Sequence, residues 1–291
     1  MNILVIGANG LLGQEIVRNL SKENKVYALV RVSYPVDFDN NKNIKILKID
    51  LSKSNKYNFP KDIEVIYYLA QSNHYRDFPE ADKDMLWLNI ISPIEIVSWA
   101  LKSNVKKFIF ASSGGVYKNP ENPVKEIFNI DISNKNGFYL DTKLCSEILL
   151  KNYADFFETF IIARPFFIYG TNQKKQMLIP RLIDNIINDK QIFLNSKEGI
   201  RINPINVKDA AKAFENMIKL KGEHIFNIAG DEIISISSIA NLIASKLDKK
   251  VNFVINKSDQ NNLVADNSKM KELLFKPEVS LEKGLNEMLN K

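Results

Sequence analysis

The sequence predicts an α/β fold: a doubly wound parallel sheet followed by a smaller C-terminal α+β lobe. Three observations carry that reading. An apolar run, Ile3-Leu4-Val5-Ile6, enters a glycine loop, Gly7-Ala8-Asn9-Gly10-Leu11-Leu12-Gly13, that opens a helix. Apolar runs then alternate with stretches of helical spacing, the pattern of parallel strands joined by crossover helices. A later run, Phe108-Ile109-Phe110-Ala111, ends in Ser112-Ser113-Gly114-Gly115, hydroxyls and glycines where a parallel sheet opens its ligand crevice.

Taken in order, strands are expected at 2–6, 25–30, 44–49, 63–69, 106–112 and 158–163, with helices between them. Residues 119–136 are polar, contain Pro120 and Pro123, and read as a loop flanking the site. After Gly170 the chain leaves the sheet, with a helix from Met177 to Ile187. Val207 to Leu220 returns to the first domain, and a further helix spans 235–247. The domains expected are 1–168, with a return segment at about 203–228, and a lobe over 169–291.

A glycine turn between a buried strand and a helix lets the backbone approach a pyrophosphate at the helix N-terminus. The order Gly7, Gly10, Gly13, with Gly-x-x-Gly-x-x-Gly rather than Gly-x-Gly-x-x-Gly spacing, reads as the dinucleotide-binding (Rossmann) form of the doubly wound sheet, a purely structural turn being the other reading. Arg31 ends the second strand, where such a fold places the adenine ribose. An acid there favours NAD, whereas an Arg, here with Ser33 nearby, can pair with the 2′-phosphate of NADP. A solvated cation at a strand end is the other reading.

Tyr139 and Lys143 lie one helical turn apart on one face. A phenol is a poor base at neutral pH, but a neighbouring ammonium and a positively charged nicotinamide ring favour the phenolate. Proton exchange then comes within reach. Ser112 and Ser113 either join that chemistry or satisfy their own strand terminus.

These motifs resemble those of the extended short-chain dehydrogenase/reductases, the NAD-dependent epimerase/dehydratase family, along essentially the whole chain. Asp50-Leu51 looks like the family's adenine-contacting pair, Tyr68-Leu69-Ala70 its fourth-strand end, and Asn89 its helix Asn. Arg164-Pro165-Phe166-Phe167-Ile168-Tyr169-Gly170 is similar to the element beside the nicotinamide, and Asn203-Pro204-Ile205-Asn206-Val207-Lys208-Asp209 to the returning strand and helix start. The resemblance implies that Tyr139 is the acid/base and that Lys143 holds the nicotinamide ribose. Ser113 would hydrogen-bond the reacting oxygen, with Ser112 as runner-up. Cofactor contacts would come from Gly7, Asn9, Gly10, Leu11, Leu12, Gly13, Arg31, Asp50, Leu51, Leu69, Ala70, Ser112, Tyr139, Lys143, Pro165 and Ile168. Asn172, Arg181 and Arg201 stand where the family contacts sugar and diphosphate. Arg201 sits one residue off the usual spacing to Val207, so a bulge or an ordinary surface cation would explain it. His74 either reaches the sugar or faces solvent, and Lys118 replaces a frequent Gly. By the same resemblance, helices near 82–103 and 139–156 form a homodimer interface.

Composition narrows the classes. The net charge of +6 rests mostly on scattered Lys, with six arginines (Arg18, Arg31, Arg76, Arg164, Arg181, Arg201) and no basic block, so nucleic acid is not the expected partner. No uninterrupted apolar run reaches the roughly 18 residues of a membrane span, and no signal peptide is expected ahead of the strand at Ile3. A cytoplasmic enzyme without membrane attachment is the expectation. Cys145 is the sole cysteine, and His74 and His224 are far apart, so neither disulfides nor a metal site is expected.

By resemblance the substrate is a nucleotide sugar. Gly114-Gly115 occupies the place of the acidic pair usual in 4,6-dehydratases, and Gly114 that of the Cys of 3,5-epimerase/reductases. A 4-keto-6-deoxysugar 4-reductase using NADPH and a 4-epimerase retaining NAD remain. Arg31 tips the expectation toward the reductase and NADP(H), with NAD(H) as the alternative. A non-catalytic, dinucleotide-sensing role is the remote third, because Tyr139 and Lys143 are both present.

Overall fold

Ile3, Leu4, Val5 and Ile6 are wholly buried on β1 (Asn2–Ile6), as a strand in a sheet covered on both faces must be. The chain, in a computed structural model, is described over residues 1–53, 58–117, 123–133, 135–256 and 262–290. Lys118 and Pro120, expected beside the site, lie outside the described residues.

After β1 come α1 (Leu11–Leu20), β2 (Lys25–Val30), β3 (Ile44–Lys48) and β4 (Val65–Tyr68). Then follow α2 (Asp82–Leu86), α3 (Ser92–Lys102), β5 (Lys107–Ala111), α4 (Phe138–Lys151) and β6 (Thr159–Pro165). The second half runs through β7 (Ile168–Tyr169), α5 (Leu178–Ile187), β8 (Gln191–Leu194), β9 (Arg201–Ile202), β10 (Ile205–Asn206) and α6 (Val207–Met217). It ends with β11 (Gly222–Ile228), β12 (Ile234–Ser235), α7 (Ile236–Lys246), β13 (Asn252–Ile255), α8 (Ser268–Leu273) and α9 (Leu281–Leu289).

The main sheet has the order β11-β6-β5-β4-β1-β2-β3. Pairing is parallel from β3 through β6, with Ile3 beside both Val26 and Val65. Chain order reverses at β1, so the turns after β1 and β4 flank the crevice at the strands' C-terminal edge. This is the Rossmann-like α/β sheet expected from the sequence.

Two helices differ from expectation. The segment expected as one helix near 82–103 carries a π turn, Trp87–Ile91, between α2 and α3. The Asn89 carbonyl there accepts the Ser146 hydroxyl of α4, and Asn89 Nδ2 donates to Thr142 Oγ1 at 2.9 Å. A carbonyl drawn out of the i→i−4 ladder accommodates the extra residue of the wider turn. The second, α4, stops at Lys151 rather than near 156, where Asn152 Nδ2 donates to the carbonyls of Ile148 and Leu149. No apolar run here is uninterrupted, because Glu95 falls inside it, yet the helical segment Asp82–Lys102 is long enough for a membrane span and holds an 18-residue stretch with a mean hydropathy of 1.2. Within it Ile96, Val97 and Ala100 are completely buried in the core against Leu150 and Phe108.

The chain divides into two compact units. The first comprises Met1–Val116, Ile130–Arg164 and Ala211–Phe226, and its core joins sheet residues such as Leu4, Ile66, Phe108 and Phe160 to helix residues Ile96 and Leu150. The second comprises Tyr117–Asn129, Pro165–Ala210 and Asn227–Lys291, with its own core around Leu182, Ile202, Ile239, Ile243 and Leu285. It contains three two-stranded sheets, β10-β7, β12-β9 and β13-β8.

Candidate active site

The glycine loop is built by close approach. Gly7 sits at φ +86°, and a Cβ on it would meet the Ala70 amide nitrogen at 2.8 Å. A Cβ on Gly13 would lie 2.2 Å from the Gly7 carbonyl oxygen. Gly10 N donates to Gly7 O at 3.0 Å, and Gln14 Nε2 to Asn9 O at 2.9 Å, which fixes the turn. Gly10 precedes α1 without a side-chain cap, and the first turn holds no acid. The unpaired N–H groups of that terminus therefore suit a diphosphate, and Gly7, Asn9, Gly10, Leu11, Leu12 and Gly13 fit such a ligand. Gly13→Ala is expected to cost about 1–3 kcal/mol by overpacking and to weaken dinucleotide binding; unchanged denaturant unfolding would refute this tight loop.

At the sheet's other crevice edge, β5 delivers Ser112 and Ser113. The Ser112 hydroxyl is buried without a hydrogen-bond partner among the described residues, whereas Ser113 Oγ accepts Gly115 N at 3.2 Å. An orphaned buried hydroxyl at this point fits a polar ligand. Gly114–Val116 forms a tight turn, and a Cβ on Gly115 would meet Leu140 Cδ2 at 2.8 Å.

Helix α4 carries the candidate acid/base. The Tyr139 hydroxyl donates to Gln71 Oε1 at 2.8 Å, and its ring lies 5.0 Å from that of Tyr75. Burial raises its pKa above the ordinary phenol value, and the neighbouring Tyr75 adds to the rise. Lys143 is buried to 1 % exposure, with Nζ donating to Ala111 O at 3.0 Å and 5.0 Å from the Phe110 ring centre. Burial pulls its ammonium down to about 7, against the opposing pull of Glu147. Glu147, one further turn along, accepts a bidentate pair of hydrogen bonds from Arg164, at 3.0 Å through Nε and 2.5 Å through Nη2. Tyr139, Lys143 and Glu147 thus share one face of α4, and Arg164 lies against Glu147.

The lowered Lys143 pKa has a consequence for stability. Unfolding returns the lysine to about 10.4, so the unfolded state binds more protons between pH 7 and about 10. Stability therefore rises with pH across that window and falls as pH drops toward 7. Lys143→Met is expected to flatten this rise in thermal unfolding measured from pH 7 to 9.5; equal slopes for both proteins would contradict it.

The remaining residues expected at the site are distributed as follows. Arg31 is exposed just after β2, and Leu51 is buried beyond β3. Burial pulls the Asp50 carboxyl upward, but its bonds to Ser52 and the charges of Lys53 and Arg31 hold it below the usual carboxylate value. Leu69 and Ala70 follow β4, against the Gly7 turn. His74 is exposed and pairs with Asp77 through Nδ1 at 2.9 Å. Pro165, Ile168, Asn172, Arg181 and Arg201 belong to the second unit. There Ile168 pairs with Ile205 and Arg201 with Ser235, while Asn172 has a positive φ of 66° and Arg181 is exposed on α5. Arg201 and Ile202 form β9, separated from β10 by Asn203-Pro204. Glu147 and Gln71 were not foreseen. The spacing of Glu147 from Lys143 signals a shared helix face; Gln71, in a loop, gives no such signal. Among the described residues no three His, Cys, Asp or Glu side chains gather as metal ligands.

A doubly wound sheet with a glycine loop after its first strand, and a Tyr-x-x-x-Lys helix following its fifth, defines an enzyme of the short-chain dehydrogenase/reductase type. The family model for the NAD dependent epimerase/dehydratase family matches residues 3–229. The chain belongs to that family. It is 27% identical over 313 residues to the UDP-glucuronate 4-epimerase of Thermodesulfobacterium geofontis, covering 99% of this chain and 94% of that protein. The structure of UDP-glucuronic acid 4-epimerase from Bacillus cereus in complex with NAD superposes with a TM-score of 0.87 at 24% identity, over 100% of this chain and 96% of the other. UDP-N-acetylglucosamine 4-epimerase from Methanobrevibacter ruminantium M1 gives 0.86 at 24%, over 99% and 97%.

Proposed function

We propose that the protein is a nucleotide-sugar 4-epimerase acting on a UDP-linked sugar with retained NAD. The observation that carries this reading is the short 114–116 turn that follows Ser113, where Gly114 and Gly115 offer no further acid or base and Gly115 comes close to Leu140 of the Tyr139 helix. Tyr139 is then the side chain placed for proton transfer, which suits a reaction returning the same proton to the same oxygen. Full-length similarity to 4-epimerases supports the choice over the 4-keto-6-deoxysugar reductase expected from Arg31.

NAD would be held by the Gly7–Gly13 loop at its diphosphate, by Asp50 and Leu51 at the adenosine, and by Leu69, Ala70, Ser112, Lys143, Pro165 and Ile168 toward the nicotinamide. When bound it supplies a reversible hydride acceptor. Tyr139 takes the proton of the sugar C4 hydroxyl and later gives it back. Ser113 hydrogen-bonds the same oxygen, and Lys143 stabilises the phenolate by its charge. His74, Asn172, Arg181 and Arg201 are the residues proposed for the sugar and diphosphate. A homodimer in the cytoplasm is part of the reading, supported by the exposed apolar side chains Leu86 on α2 and Ile148 and Leu149 on α4.

The test is to denature freshly purified protein, identify the released dinucleotide, and incubate the native protein with UDP-hexoses and UDP-hexuronic acids. Stoichiometric NAD and interconversion of C4 epimers without net nicotinamide consumption is the expected result. An empty protein that consumes NADPH with a 4-keto sugar, and loses that preference in Arg31→Asp, would restore the reductase.

A further inference from the structure

We propose that Gln71 is a positioning residue for Tyr139: its side-chain amide holds the phenol oxygen in both protonation states and sets the pH at which the proton is exchanged. The inference rests on Tyr139 being the acid/base of the proposed reaction. Gln71 directly follows Ala70 at the crevice end of β4, and its Oε1 accepts the Tyr139 hydroxyl at 2.8 Å. The segment around it is pinned. Ser72 is fully buried, donates to the Asp84 carboxylate on α2 and accepts His74 N at 3.0 Å. Tyr75 lies against Tyr139, and Phe78 stacks on Phe138 with ring centres 4.8 Å apart. Two aromatic contacts thus hold this loop against the first turn of α4.

The chemistry asks something unusual of the residue touching the phenol. A neutral phenol needs an acceptor, and a phenolate needs donors. An amide serves both by turning about its last bond, exchanging Oε1 for the Nε2 hydrogens. Gln71 is the side chain hydrogen-bonded to the phenol, while Lys143 Nζ donates to Ala111 O and Ser113 Oγ accepts Gly115 N. Ionisable neighbours of the phenol are Tyr75 on the loop and Lys143 on α4, with Glu147 a turn further on and paired to Arg164. From β5 and the 114–116 turn, no ionisable side chain faces it. Losing the amide removes an acceptor from the neutral phenol and a donor from the phenolate; the charged form loses more, so the apparent pKa rises by about one unit.

The experiment is carbon-13 NMR of full-length protein labelled at tyrosine Cζ and saturated with NAD, the Tyr139 resonance being assigned by its loss in Tyr139→Phe. Gln71→Met is expected to move the Tyr139 titration midpoint up by about one pH unit, and Gln71→Glu further, by adding a like charge. Gln71→Asn is expected to recover part of the shift. A Gln71→Met midpoint equal to that of the unmodified protein overturns the proposal, as does a Tyr139 that stays protonated to pH 11 in the unmodified protein. Failure to epimerise any UDP-sugar would refute the proposed reaction while leaving this titration to decide the role of Gln71.

Discussion

Tyr139→Phe is expected to lower kcat for epimerisation by about 10²–10⁴-fold, the range for removing a positioned general acid/base, while NAD binding persists. The ring packs against Tyr75 and needs no hydroxyl to do so, and the glycine loop lies at a different edge of the crevice. The loss should therefore appear in kcat rather than in folding or dinucleotide affinity. The half-buried hydroxyl donates to Gln71, so its removal should cost no more than one hydrogen bond, about 0.5–1.5 kcal/mol, in denaturant unfolding. Full activity in the variant would remove Tyr139 from the reaction. A variant that fails to bind NAD would instead show that the hydroxyl has a structural role.

The parts of this site legible in the sequence are those set by local chain geometry. Gly7 and Gly13 could be read because only glycine tolerates a 2.2–2.8 Å approach of the next backbone segment, and such a loop must follow a buried strand. Tyr139 and Lys143 could be read because a helix turns four residues into neighbours. What escaped was set by partners distant in the chain. Asn89 belongs to a π turn because Ser146, 57 residues away, takes its carbonyl. Arg164 was legible only as part of a strand-end motif, although its guanidinium is buried against Glu147 on α4. Arg31 is legible as a cation just after β2, but spacing alone does not say which dinucleotide it would meet.

Glu147→Leu is expected to destabilise the protein by about 3–5 kcal/mol, the cost of breaking a buried ion pair from one side. Glu147 and Arg164 are 2 % and 3 % exposed, so water cannot replace the two hydrogen bonds that Arg164 loses. The double variant Glu147→Leu/Arg164→Met should recover most of that loss, because apolar residues of similar volume often replace a buried pair at little cost. It should not recover the environment of Lys143, since Glu147 is the charge that opposes the lowering of that ammonium by burial. With the carboxylate gone, Lys143 is expected to lose its proton at lower pH. The double variant would then be stable but have the alkaline limb of its kcat profile moved to lower pH. A double variant as unstable as the single one would show that packing, not charge, dominates at this contact. An unmoved profile would show that Glu147 serves the fold alone.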